Sequence, residues 1–217
     1  METGFRKLEE IKGKGILIWG NGSEHHASYF FDKIANGKTI TKINIDQHSD
    51  TYLRFKKQPV NCANHMFFSA MRPNWKAGIY VPKYFMDWEI KDHKKNEGII
   101  LPDKISFLKQ NEKIEGSVQL TIDLDVLTKF PVDKNFALTN YGCSPRIVYS
   151  ILEKYSNSKV LRIDLGGMDS SYFLQPESIK YIIKNYKPIY SNKNYEKAFG
   201  IIEEMILIAD KLIWSGK

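Results

Sequence analysis

Residues 40–50 read Ile40-Thr41-Lys42-Ile43-Asn44-Ile45-Asp46-Gln47-His48-Ser49-Asp50, a β-type run that gives out into Asp46, His48 and Asp50 at i, i+2 and i+4. Carboxylates and an imidazole at the end of a buried strand are costly to desolvate unless a cation compensates them. A divalent metal compensates all three at once. As far as strand geometry persists beyond Ile45, alternate side chains share a face, so the three converge from one side.

Working outward, short apolar runs ending in polar chemistry recur. Gly15 to Gly20 is an apolar run closed by glycine, and a turn follows it with Ser23 as N-cap of an amphipathic helix that carries His25 and His26 near its start. A helix with an Asn cap is expected over Asn64 to Met71, a strand at Gly78 to Val81, and a short strand at Gly98 to Leu101 followed by a turn region. Gly116 to Asp125 alternates and ends in Asp123 and Asp125. Ser144-Pro145 opens a helix, Val160 to Gly167 is a further strand with Asp164 near its end, and Pro176 to Tyr186 and Tyr195 to Ile213 read as closing helices. This alternation predicts a single α/β domain over residues 1–217, a three-layer α/β/α arrangement around a mainly parallel sheet. In such a sheet the carboxyl ends of the strands form one ligand-binding edge. His25 or His26, the Asp46, His48 and Asp50 set, and Asp123 with Asp125 are expected to meet there.

Composition narrows the function classes. An apolar share of 42% and an aromatic share of 13% exclude a mainly disordered chain. The net charge of +7 comes from scattered lysines. The densest basic segments, Arg54 to Lys57 and Lys91 to Lys95, are short and match no nucleic-acid motif, so no nucleic-acid partner is expected. Cys62 and Cys143 lie far apart without Cys-x-x-Cys spacing, which excludes a zinc ribbon and fits free thiols in a reducing compartment. With no apolar run of about 18 residues and no signal-type N-terminus, the expectation is a cytoplasmic protein with no membrane partner. Carboxylates and histidines without a thiolate suit manganese or a similar divalent ion, and four carboxylates suit two ions better than one.

These motifs resemble those of the ureohydrolase superfamily, the arginase, agmatinase and formimidoylglutamase group. Gly22-Ser23-Glu24-His25 resembles its Gly-Gly-Asp-His turn, Asp46-Gln47-His48-Ser49-Asp50 its Asp-Ala-His-x-Asp segment, and Thr121-Ile122-Asp123-Leu124-Asp125 its Ser-x-Asp-x-Asp segment, in the same order. Asn64-His65 resembles its Asn-x-His-type stretch, and the similarity spans Gly15 to about Gly167. The resemblance implies an arginase-like fold and two Mn2+ held by His25 or His26 with Asp46, His48, Asp50, Asp123 and Asp125. Asp50 and one acid of the Asp123/Asp125 pair are the implied bridging ligands. It further implies that hydroxide from a shared water attacks a planar carbon bonded to nitrogen, and that His65 is the catalytic acid protonating the leaving amine. The implied substrate is a small-molecule or peptide-borne guanidino, amidino or amide group, and a homo-oligomer is compatible with it.

The departures point to an outlying branch rather than a housekeeping arginase. Gln47 stands in place of Ala, Thr128-Lys129 in place of an Asp-Pro pair, and Gly166-Gly167 where a guanidinium-binding Glu is expected shortly after Asp164. The chain is also shorter than is usual for the family. Two further readings use the same residues: a deacetylase-like amidohydrolase with one Zn2+, and a metal-stabilised binding protein without catalytic activity.

Overall fold

The computed structural model describes residues 15–18, 25–32, 39–52, 59–82, 87, 90–91, 104–128, 142–167 and 193–214. In chain order these form β1 (Gly15–Ile18), α1 (Ala27–Phe31), β2 (Ile40–Ile45), α2 (His65–Met71), β3 (Trp75–Tyr80), β4 (Ile105–Phe107), β5 (Ser117–Asp123), a 3-10 turn (Leu124–Val126), α3 (Pro145–Glu153), β6 (Lys159–Gly166) and α4 (Lys193–Trp214). The strands form one sheet in the order β1-β6-β5-β2-β3-β4, and every pairing is parallel. With helices on both faces this is the expected three-layer α/β architecture. From β2 the chain steps outward to β3 and β4, and from β5 it steps the other way to β6. The crevice at the carboxyl ends of β2 and β5 is therefore a topological switch point, where open parallel sheets bind ligands.

Sequence periodicity placed these elements to within a few residues, with three differences. β4 lies where a turn region is expected; its three residues pair along β3 as the edge strand of the sheet and are too few to show a period. Asn64 occupies the N-cap of α2, but its amide turns backward, accepting from the Asn61 N–H at 2.7 Å and donating to the Pro59 carbonyl at 3.1 Å. The strand of β5 stops at Asp123, and Asp125 sits in the 3-10 turn. The Ser23 cap, the Gly98 to Leu101 strand and the Pro176 to Tyr186 helix lie outside the described residues.

The two faces of the sheet differ in chemistry. Ile43 and Ile45 of β2, Val118, Leu120 and Ile122 of β5, and Ile163 and Leu165 of β6 pack with α3 and α4 into the main apolar core. On the opposite face the alternate residues are Lys42 and Asn44, Gln119 and Thr121, and Arg162 and Asp164, all buried. Alternation ordinarily marks a face open to water; here it marks a buried polar layer whose members pair with one another. Lys42 reaches Asp32 at 3.1 Å and Ser69 at 3.3 Å, while Gln119 donates to Asp164 at 2.6 Å. Among the described residues no helix is long and apolar enough to cross a membrane.

Candidate metal centre

Local backbone geometry aims each side chain at the switch point. β2 ends at Ile45, and Asp46 still donates its N–H to the Tyr80 carbonyl at 3.2 Å. The chain then bends through residues 46–48, so the convergence of Asp46, His48 and Asp50 comes from bends and not from strand alternation. Asp50 has a left-handed backbone (φ 52°), which aspartate tolerates better than most residues. Its carbonyl accepts the Met66 N–H at 3.0 Å, satisfying a first-turn donor of α2 and docking the loop on that helix. Asp123 is the last residue of β5, beside Gly166 of β6.

Three of the carboxylates divide their two oxygens between the backbone and the site. Asp46 Oδ1 accepts the His48 N–H at 2.8 Å while Oδ2 lies 3.3 Å from His25 Nδ1. Asp123 Oδ1 accepts the Asp125 N–H at 3.0 Å while Oδ2 lies 3.5 Å from the same nitrogen. Asp125 Oδ1 accepts the Gln47 N–H at 3.3 Å while Oδ2 lies 3.2 Å from His48 Nδ1. Asp50 Oδ2 is 3.1 Å from His25 Nδ1 and 2.8 Å from His65 Nε2.

The donors fit a divalent ion. His25 Nδ1 is buried within 3.1 to 3.5 Å of oxygens from three carboxylates, yet no hydrogen bond has acceptable geometry to any of them. It points into the space between them. Its other nitrogen, Nε2, lies 2.7 Å from Thr121 Oγ1, so an Nε2–H donating to Thr121 leaves the Nδ1 lone pair facing the carboxylates, the arrangement that ligating histidines favour. Three groups have ligand atoms close enough to share an ion: His25, Asp46 and Asp123; Asp46, His48 and Asp125; and His25, Asp50 and His65.

Electrostatics agrees with the need for a cation. Burial, then the neighbouring Asp46, pushes the Asp50 carboxyl well above the usual range, and burial with Asp125 does the same to Asp123. Burial and Asp46 push Asp125 up to about 6. Asp46 goes the other way: although burial opposes it, His25 and His48 hold its carboxyl well below the usual range. His48 is pushed up to about 12, first by Asp125 and then by Asp46. Carboxylates crowded in a desolvated site cannot all ionise without added positive charge.

His26 is not among these groups. It is the residue before α1, half-buried, with its ring edge toward Phe30 at a centroid distance of 6.3 Å. Of the two histidines, His25 is the one whose ring nitrogen lies within the groups that could hold an ion. Asp46, rather than Asp50, has one oxygen toward each of His25 and His48. Asn44, to which the sequence assigns no role, donates its Nδ2 to Asp46 Oδ2 at 3.2 Å and to the His48 carbonyl at 3.3 Å. The period of two, which puts Asn44 on the face of Asp46 and Thr121 on the face of Asp123, was the signal for both helpers.

No protein-family model matches the sequence, and no curated protein matches it. Solved structures do. The proclavaminate amidino hydrolase of Streptomyces clavuligerus superposes with a TM-score of 0.58 at 12% identity, over 97% of this chain and 68% of that one. The agmatine ureohydrolase of Thermoplasma volcanium gives 0.56 at 13%, over 99% and 68%. A triple mutant of the T. brucei arginase-like protein bound with Mn2+ gives 0.59 at 14%, over 97% and 63%. The fold is that of the ureohydrolase superfamily. At these identities the likeness is one of fold, and the chain spans 63 to 68% of the length of these ureohydrolase-fold structures.

Within the ureohydrolase fold, the glycine at the expected Glu position has a structural cause. Gly167 has φ +88°, and a Cβ there would overlap Asp123 Oδ1 and lie 2.6 Å from the Leu124 backbone nitrogen. The backbone at the end of β6 thus presses directly on Asp123 and leaves no room for a side chain.

Proposed function

We propose that this chain is a dinuclear-metal hydrolase, with manganese as the ion, of a non-peptide C–N bond in a guanidino, amidino or amide substrate. The observation that carries the reading is the His25 Nδ1 aimed between three buried carboxylates with its Nε2 tied to Thr121. When bound, a pair of divalent ions lowers the pKa of water toward neutrality and offsets the carboxylate charge. The chain's residues do the rest. Asp46, common to two of the groups that could hold an ion, would serve both positions; Asn44 and the His48 N–H fix its oxygens, and Thr121 fixes the tautomer of His25. The His48 side chain is 52% exposed and that of Asp125 20%, so solvent and substrate approach from their side. Because Gly167 offers no carboxylate, the substrate is recognised without a cation-binding acid at that position, which favours a modified or peptide-borne group over free arginine.

Metal analysis of protein prepared without chelator and equilibrated with manganese should give about two ions per chain, and Asp46→Ala should lose both. Urea or ammonia release is then screened across guanidino and amide compounds. Unchanged metal content in Asp46→Ala refutes the site; about one tightly held zinc per chain, with no manganese uptake, selects the deacetylase-like reading.

A further inference from the structure

The resemblance casts His65 as the donor of a proton to the leaving amine, but His65, whose Nε2 hydrogen-bonds Asp50, also falls with His25 and Asp50 in a group whose ligand atoms lie close enough to share an ion. His65 is fully buried. Its Nε2 lies 2.8 Å from Asp50 Oδ2, the oxygen that also faces His25, and its ring centroid lies 4.5 Å from that of His25. Its Nδ1 lies 3.4 Å from Ser28 Oγ. Both ring nitrogens therefore face protein groups, Nε2 toward the cluster and Nδ1 toward a hydroxyl of α1. A ligating histidine is typically held this way, with its outer nitrogen engaged by a neighbouring polar group.

The backbone reinforces the placement. The Asp50 carbonyl accepts from Met66 N and the Ala63 carbonyl accepts from Tyr52 N at 2.8 Å, so the loop bearing Asp50 and the helix start bearing His65 form one unit. The two sides of the centre consequently differ. His25, Asp46, Asp50, Asp123 and His65 are all buried, whereas the His48 and Asp125 side chains reach solvent. Closed positions hold structural ions and open ones leave a place for water or substrate.

We propose that His65 is a further ligand to the ion on the His25 side, closing that position, and that the position formed by Asp46, His48 and Asp125 is the one open to substrate. The inference rests on the two-ion reading above. Ligand status and proton donation give different measurements. After dialysis of manganese-loaded protein against a weak chelator, the parent should keep about one ion per chain, the closed one. His48→Ala should keep that ion, and His65→Asn should bind it about 10- to 100-fold or more weakly with unchanged circular dichroism. Pulsed EPR of the parent carrying only the tight ion needs no variant: two coordinated imidazole nitrogens are expected, from His25 and His65. One imidazole nitrogen, or a folded His65→Asn that retains manganese like the parent while losing turnover, overturns the proposal in favour of proton transfer. A parent that binds no manganese fails the underlying reading; a parent that binds two ions with one imidazole on the tight one fails this inference alone.

Discussion

Placing a side chain at Gly167 should dismantle the proposed metal centre. The perturbation is Gly167→Glu, which installs the acid expected at this position, with Gly167→Ala as the minimal version. A non-glycine residue at φ +88° costs about 1–2 kcal/mol in backbone strain. The added Cβ also overlaps Asp123 Oδ1 and approaches the Leu124 nitrogen to 2.6 Å. Leu124 opens the 3-10 turn immediately after β5 and cannot retreat without unpairing the strand end, so the Asp123 carboxylate must swing away. It then gives up the hydrogen bond from the Asp125 N–H, at about 1–3 kcal/mol for a buried group, and withdraws from His25. Together these predict about 2–5 kcal/mol of lost stability in the metal-free protein. Because loss of an outer partner alone weakens metal affinity about 10- to 100-fold, loss of a donor should weaken it by at least the upper figure. Urea unfolding without metal and equilibrium dialysis with manganese measure the two effects. A Gly167→Glu protein that keeps the parent's manganese affinity and gains binding of arginine or guanidine would refute the argument, because the glycine would then be a mere absence rather than a wedge against Asp123.

Thr121→Val keeps shape but removes the partner of His25 Nε2, so manganese affinity should fall about 10- to 100-fold, with about 1–3 kcal/mol of stability lost for the buried Nε2–H left without an acceptor; an unchanged binding isotherm contradicts the tautomer assignment. Lys42→Met leaves Asp32 buried with its main cation gone and should cost about 3–5 kcal/mol, of which the double variant with Asp32→Asn recovers a substantial part in urea unfolding; a single variant as stable as the parent contradicts the pairing. Burial pushes the Asp164 carboxyl up to about 7, against the opposing pull of Arg162 and Lys42. Since its folded pKa exceeds the unfolded value of 3.8, the folded state binds more protons between those values and stability falls as pH rises through that window. Roughly three pKa units at 1.36 kcal/mol each set this contribution on the order of 4 kcal/mol. The stability difference between Asp164→Asn and the parent should therefore increase in the variant's favour from pH 4 to pH 7, as read from urea midpoints across that range; a flat difference contradicts a proton held on Asp164.

How much was legible in the sequence follows from the range of the forces involved. Strand and helix identity is local, so β2, β5, β6, α2, α3 and α4 could be read from apolar spacing and from Pro145 at the first helical turn. The order of the motifs and the chemistry at the strand ends were local too, and they placed Asp46, Asp123 and their neighbours at one edge of a parallel sheet. The choice between His25 and His26 was not local, because adjacent residues on a turn differ by a rotation that only the packed position of α1 resolves. Nor could the sequence tell that the alternation of Lys42, Asn44, Gln119, Thr121, Arg162 and Asp164 marks a buried layer, since a period of two is the same whether water or a helix covers the face. Spacing alone could not assign the carboxylate facing both histidines to Asp46, nor bring His65 against Asp50. Register between parallel strands and the docking of residues 50–52 on 63–66 decide both. Gly167 shows the division most plainly. The sequence by itself determined that the residue is glycine where an acid was expected, and tertiary structure alone decided why: the end of β6 lies so close to Asp123 that there is no space for any side chain.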